Sequence, residues 1–480
     1  MKGDICCEET RRSREEVLDR AARIASVFGN FSAAPGSTIA LLARNRIETL
    51  ETHLAARLLD ANVVPLNWHG TGEDARYILA DAAPTILVGD ADLLAATKTK
   101  LPKLDFCMLE DAISGTAPCV ASPLGLGGAL IYTSGTSGRP KGVKRLPSSP
   151  EQAAHRREVL RLVYDGAAEN SALVTGPLYH LFSLATAMTN FAAGGRVTIM
   201  PRFDPEDMLR LIERDRITHT SAVPTMLVRL LRLPNAVRMR YDLSSLRHVT
   251  LSGAPCPADV KRALIEWLGP VIYETYGSTE TGVMTQISSE DWLARPGSVG
   301  RPVSTGEIRV LDDKGHTLPP GAIGDIYVWM HGAPDFTYLG DAAKRATMER
   351  DGLVTVGDMG WLDEEGWLYV CDRRDDMVIV GGANIYPAEI EAALLAHPGV
   401  MDAAAFGVPD PDYGERLIAH VAVVEGAIAD ESALMMHLEG RLAKTKWPRR
   451  IFFDAALPRS ENGKILKRVL RERYCQESTK

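Results

Sequence analysis

The sequence predicts an α/β fold: a large N-terminal domain with parallel-rich sheets, a small antiparallel, β-barrel-like subdomain, and a small α+β domain at the C-terminus. Three observations carry this expectation. Short apolar runs alternate with helical patterns as far as VIYETYG (271–277), the texture changes to short strands and tight turns near residue 297, and strands and helices alternate again over the last hundred or so residues.

TIALLAR (38–44), ETLETHLAARLLD (48–60), NVVPLN (62–67), DARYILADA (74–82) and TILVGD (85–90) read in turn as strand, helix, strand, helix and strand. That order implies parallel strands joined by crossover helices. The rhythm recurs in SALVTGP (171–177), RVTIMP (196–201), ITHTSAVP (217–224), RHVTLSG (247–253) and VIYETYG. Runs ending in Gly, Pro or Ser aim their carboxyl ends at loops, where open α/β sheets bind ligands. Beyond residue 297, EIRVLDDKGHTLPPG and GDIYVWM carry D-D-K-G and P-P-G turns between short strands. WLYV (367–370) and MVIV (377–380) read as a hairpin-like pair joined by CDRRDD, and the domain boundary is placed there: 1–374 and 375–480. PAEIEAALLAH (387–397) is an amphipathic helix with Pro387 in its first turn.

A chain of 480 residues can bury a large core and still carry a separate module. Its 45% hydrophobic and 24% charged residues lie in the soluble globular range. A formal charge of −8 and a pI near 5.8 provide no general field for nucleic acid, so any anionic ligand must be held locally. No apolar run approaches a membrane span, and MKGDICCEETRRSREEV is too polar for a secretory signal, so a cytoplasmic protein is expected. Seven scattered cysteines without a C-x-x-C imply reduced thiols; Cys256 reads as a buried or partly buried thiol rather than a nucleophile.

The strongest signal is IYTSGTSGRPKGV (131–143), a loop of glycines and hydroxyls following an apolar run. Neither Gly135 nor Gly138 opens a Walker A register, because the fifth residue on is Pro140 or Val143. Glycines that let backbone N–H groups converge, hydroxyls from Thr133, Ser134, Thr136 and Ser137, and the charge of Lys141 nevertheless suit a polyphosphate.

YTSGTSGRPKG resembles the phosphate loop of the adenylate-forming superfamily, which includes acyl-CoA synthetases, aryl-CoA ligases, luciferases and peptide-synthetase adenylation domains. PLYH (177–180), LSGAPCP (251–257), YETYGSTE (273–280), the stretch 355–391 and RSENGKILKR (459–468) resemble further motifs in the family's order. The texture from PLYH to PDFTYLGD is similar to bacterial acyl-CoA ligases acting on bulky or medium to long apolar acids.

The resemblance implies an enzyme that joins a small-molecule carboxylic acid to ATP and then to coenzyme A, releasing AMP, and it implies roles for named residues. Thr133, Ser134, Gly135, Thr136, Ser137, Gly138 and Lys141 would grip phosphates. Gly253, Ala254, Pro255 and Tyr276 would hold adenine, Asp358 would accept from the ribose hydroxyls, and Arg373 would help hold ribose or phosphate. Thr279 would donate to the α-phosphate and Glu280 would carry Mg²⁺. Lys464 would bridge carboxylate and α-phosphate, and His180 would gate the acyl pocket. Asp375 would be the hinge of a mobile C-terminal domain, with Gly381, Gly382 and Trp447 on the coenzyme A side. The alternatives left open are an enzyme of one half-reaction, a stand-alone enzyme loading a carrier protein, a luciferase-type oxidase and a catalytically idle homologue. Assembly as a homodimer is also left open.

Overall fold

A computed structural model describes residues 3–119, 128–133, 140–380, 383–410, 414–424, 426–427, 429–459 and 465–478. These residues form five sheets.

The largest sheet has nine strands, and its six central ones run parallel in the order Ile5–Cys7, Arg196–Ile199, Ser171–Val174, His219–Ala222, His248–Leu251 and Ile272–Ser278. Three of them, Ser171–Val174, His219–Ala222 and His248–Leu251, are buried at every position, the pattern of strands covered on both faces. Helices Pro205–Asp215, Pro224–Leu231 and Ala258–Leu268 supply one covering layer through Met208, Leu227 and Leu264. A second, all-parallel sheet runs Asn62–Pro65, Thr38–Leu42, Ile86–Gly89, Lys103–Asp105, in agreement with the strand and crossover reading of that stretch.

Two smaller sheets are antiparallel. Phe336–Tyr338 pairs with Lys141–Arg145, which pairs with Ile131–Thr133. The other sheet has six strands lying between Gly306 and Arg373. The fifth sheet belongs to the C-terminal part and centres on the long pair Val400–Asp410 and Gly414–Val423. It has its own core on both faces, around Ile390 and Leu434 on one side and Phe406 and Leu470 on the other.

One expectation is corrected here. WLYV and MVIV do not form a hairpin: Leu368–Arg373 pairs with Asp358–Leu362, whereas Val378–Val380 pairs with Ala383–Ile385 and Gly414–Val423 in another sheet. A 3₁₀ turn over Arg374–Asp376 carries the chain between the two sheets. Arg374 anchors that turn on Asp325 at 2.6 Å and Asp313 at 3.0 Å. Among the described residues no helix is long and apolar enough to cross a membrane.

Candidate active site

A cleft of about 2700 Å³ opens where the nine-stranded sheet, the two antiparallel sheets and the C-terminal part meet. Thr133, Lys141, His180, Gly253, Ala254, Pro255, Tyr276, Thr279, Glu280, Asp358, Arg373 and Asp375 all line it. Ser134, Gly135, Thr136, Ser137, Gly138, Gly381, Gly382 and Lys464 lie outside the described residues. Trp447 is not among the lining residues; its indole N–H donates to the Leu442 carbonyl at 3.1 Å and its ring packs on the C-terminal core.

The small three-stranded sheet builds the cationic side. Antiparallel pairing sets Thr133 opposite Lys141 and Tyr338 opposite Val143. Lys141 Nζ stands 2.7 Å from Asp341 Oδ2 and 5.8 Å from the centre of the Tyr338 ring. Lys344 Nζ stands 5.0 Å from that same ring centre. Burial, followed by the charge of Lys141, holds the Lys344 ammonium below the usual lysine pKa, with Glu280 and Asp341 opposing. The Tyr338 hydroxyl donates to Glu280 Oε1 at 3.0 Å, and burial together with Glu280 pushes its pKa up, so the phenol stays protonated as a donor.

Glu280 and Thr279 sit at the tip between Ile272–Ser278 and Gly282–Ile287. The two strands cross so closely that a Cβ on Gly277 would lie 2.0 Å from the Gly282 carbonyl oxygen, which explains glycine there. The tip is fixed by the Thr281 N–H donating to Ser278 Oγ at 3.1 Å and by an Arg145 guanidinium N–H donating to the Thr279 carbonyl at 3.0 Å. Burial, followed by the charge of Arg156, pulls Arg145 down to about 9, with Glu280 and Asp335 opposing.

Asp358 is buried and joins two sheets. Tyr276 Oη donates to its Oδ2 at 2.8 Å, and Arg373 Nε lies 3.1 Å from its Oδ1. Arg373 is placed by strand register, directly opposite Asp358. Burial, then Asp358, raises the Tyr276 pKa, so this hydroxyl too remains a donor. Close to the loop 251–257, the Lys261 ammonium pairs with Glu274 at 2.6 Å with both side chains buried, and it also lies 4.8 Å from the Trp292 ring centre. Burial pushes Glu274 up and Lys261 down, and each is opposed by its partner. Burial also pushes the Cys256 thiol up, against a nucleophilic role.

Another part of the lining is apolar. His180 precedes the helix Leu181–Ala193, whose Phe182 and Ala185 share a cluster with Leu160, Val283 and Met330. Tyr338, Asp341, Lys344 and Arg145 were absent from the sequence reading. The PDFTYLGD stretch was noted only for its texture, and nothing in one sequence pairs residues 336–338 with 141–145.

Among the described residues no three His, Cys, Asp or Glu side chains gather to hold a metal by themselves. The donor set nevertheless suits Mg²⁺, which binds through one or two carboxylates and completes its shell with phosphates and water. Glu280 faces the cleft with one oxygen on Tyr338.

Comparison with known proteins agrees with this geometry. Residues 4–333 match the AMP-binding enzyme model and residues 389–464 match the AMP-binding enzyme C-terminal domain. The chain is 33% identical to an indoleacetate–CoA ligase of Aromatoleum aromaticum, over 95% of this chain and 92% of that protein. It is 34% identical to a feruloyl-CoA synthase of an Amycolatopsis species, over 96% and 93%. ATP-bound MatB from Rhodopseudomonas palustris superposes with a TM-score of 0.87 at 32% identity, over 98% of this chain and 95% of that one; apo MatB superposes with 0.76. The chain therefore belongs to the AMP-binding enzymes, the adenylate-forming superfamily of acyl-CoA synthetases and acid–thiol ligases.

Proposed function

We propose that this enzyme activates a bulky, largely apolar carboxylic acid with ATP to an acyl-adenylate and then passes the acyl group to coenzyme A, releasing AMP. The observation that carries the reading is the convergence on one cleft of Lys141, the Tyr338–Glu280 contact and the Tyr276–Asp358–Arg373 network. A carboxylate attacking the α-phosphorus brings two anions together, and the site answers with cations and donors placed beforehand.

In this reading Gly253, Ala254 and Pro255 border adenine with Tyr276. Asp358 keeps its orientation through Tyr276 and Arg373 and accepts from the ribose hydroxyls. Thr279 donates to the α-phosphate, and residues 133–138 with Lys141 hold the phosphate chain. Glu280 would hold Mg²⁺, which when bound neutralises charge on the phosphoryl oxygens. Lys464 bridges the acid's carboxylate and the α-phosphate during adenylation. The apolar wall beside His180 supports a bulky acid, and the indoleacetate- and feruloyl-CoA enzymes among the relatives support an aromatic one.

In the first step the lysine sits on the acid's carboxylate while a carboxylate oxygen attacks the α-phosphorus. In the second the thiol attacks the carbonyl carbon of that same group and AMP leaves, so the lysine and the thiol must take turns. We assign the exchange to the unit 375–480 turning about Asp375, which lies in the 3₁₀ turn between two sheets. The higher superposition score with ATP-bound than with apo MatB supports reading the present arrangement as the adenylating one. Gly381, Gly382 and the exposed cations Lys444, Arg449 and Arg450 around Trp447 are assigned to coenzyme A.

The test is a panel of carboxylic acids supplied with ATP, Mg²⁺ and coenzyme A, with acyl-AMP and acyl-CoA read by mass spectrometry and synthetic acyl-adenylates run in parallel. Lys464→Ala is expected to lose adenylation by about a hundredfold or more while keeping thioester formation from acyl-adenylate. Equal loss of both removes the assignment of Lys464. Thioester formed only from the supplied adenylate would mark an enzyme of one half-reaction.

A further inference from the structure

Two lysines flank one aromatic ring beside Glu280, and the residue assignments above use only Lys141. Lys344 comes from the short helix Ala342–Thr347, whose first turn is capped by Asp341 accepting from the Lys344 backbone N–H at 3.2 Å. The same Asp341 holds the Lys141 ammonium at 2.7 Å through its other oxygen. One carboxylate therefore fixes the backbone of one lysine and the side chain of the other. Both ammoniums stand near Tyr338, its ring centre 5.8 Å from Lys141 Nζ and 5.0 Å from Lys344 Nζ, with its hydroxyl on Glu280. Among the described residues no carboxylate is ion-paired with the Lys344 ammonium, although it lines the cleft.

Two like charges held side by side repel unless an anion lies between them. The ligand that suits them is a polyanion entering beside Glu280, and a diphosphate presents oxygens to both lysines at once. Resting on the nucleotide reading above, we propose that Lys344 and Lys141 together clamp the β,γ-diphosphate of ATP, the part that departs as pyrophosphate. When the acid's carboxylate oxygen bonds to the α-phosphorus, the bond from that phosphorus to the bridging oxygen breaks. The electron pair stays with pyrophosphate, and Lys344 takes up part of that negative charge. Asp341 sets the spacing of the clamp, and the edge of Tyr338 keeps Glu280 aligned beside it.

The clamp makes a distinction that a structural lysine does not. Groups that hold only the leaving diphosphate matter for ATP and pyrophosphate and not for AMP or acyl-adenylate. Calorimetry with Mg·ATP, Mg·pyrophosphate and AMP on wild type, Lys344→Ala and Lys344→Arg reads this without knowing the acid. Lys344→Ala is expected to weaken ATP and pyrophosphate at least about tenfold, with AMP unchanged and Lys344→Arg recovering most of the loss. Thioester formation from a synthetic acyl-adenylate should stay within twofold of wild type. Wild type binding all three ligands while Lys344→Ala binds them equally well overturns the clamp alone, as does equal weakening of AMP. Wild type that binds neither ATP nor pyrophosphate overturns the nucleotide reading itself.

Discussion

Glu280 and Asp358 are each held by a tyrosine hydroxyl whose own ionisation is suppressed by burial and by the carboxylate it serves. A phenol held protonated is a steady donor, and it fixes one oxygen of each carboxylate; the other oxygen of Asp358 stands 3.1 Å from Arg373 Nε. Two deeply buried histidines contribute to the pH response. Burial, followed by Arg57, holds His53 down to about 3; burial, followed by His219, holds His248 down to about 4. Both are neutral in the folded chain at pH 7 and would take up a proton near pH 6.5 when unfolded. The unfolded state therefore binds more protons between about pH 4 and 6.5, and stability falls as pH drops through that window, at up to about 1.4 kcal/mol per pH unit for each histidine. Urea midpoints measured at pH 7.5, 6 and 5 should fall in that order, and His53→Leu should flatten the trend. A midpoint that rises toward pH 5 would contradict the assignment.

At the scale of elements, the hairpin from Ile272 to Ile287 is the part that cannot relax. Replacing Gly277 with alanine puts a methyl group 2.0 Å from the Gly282 carbonyl oxygen, and the strands can separate only by moving Thr279 and Glu280. Gly277→Ala is expected to lower acid-dependent ATP consumption about a hundredfold while far-UV circular dichroism stays unchanged. Activity within threefold of wild type would show that the tip tolerates displacement. Part of this element was legible beforehand, since VIYETYG reads as a strand and YETYGSTE resembles a family motif that ends in Glu280. Its supports were not. Tyr338 reaches Glu280 because Phe336–Tyr338 pairs with a strand almost two hundred residues earlier, and such long-range pairing leaves no local trace. The same blindness produced the false hairpin at CDRRDD: two adjacent apolar runs look alike whether they pair together or enter different sheets. Helix starts were easier in principle, because Ser13 with Glu16, Thr71 with Asp74 and Ser149 with Gln152 form capping boxes of purely local origin.

For the whole molecule, the described residues place two separately cored parts around one cleft, with contacts such as the Arg232 guanidinium to the Val400 carbonyl at 3.4 Å passing between them. Asp372, the residue before Arg373, accepts from the Ala388 N–H at 2.8 Å, so the strand that carries Arg373 also anchors the first turn of helix Pro387–Leu395. The Asp358–Arg373 pair and the anchor of the C-terminal helix thus lie within a few residues of Asp375. The parallel sheets were legible because short β-like runs alternate with helical patterns along the sequence; the meeting of four sheets at one cleft was not, because it depends on packing between segments hundreds of residues apart. The most direct test is a crystal structure with Mg²⁺ and a non-hydrolysable ATP analogue. The ribose hydroxyls should lie within hydrogen-bond reach of Asp358 and the phosphate chain between Lys141 and Glu280, whereas a nucleotide ordered elsewhere, with Asp358 still closed on Tyr276 and Arg373 alone, would contradict the account.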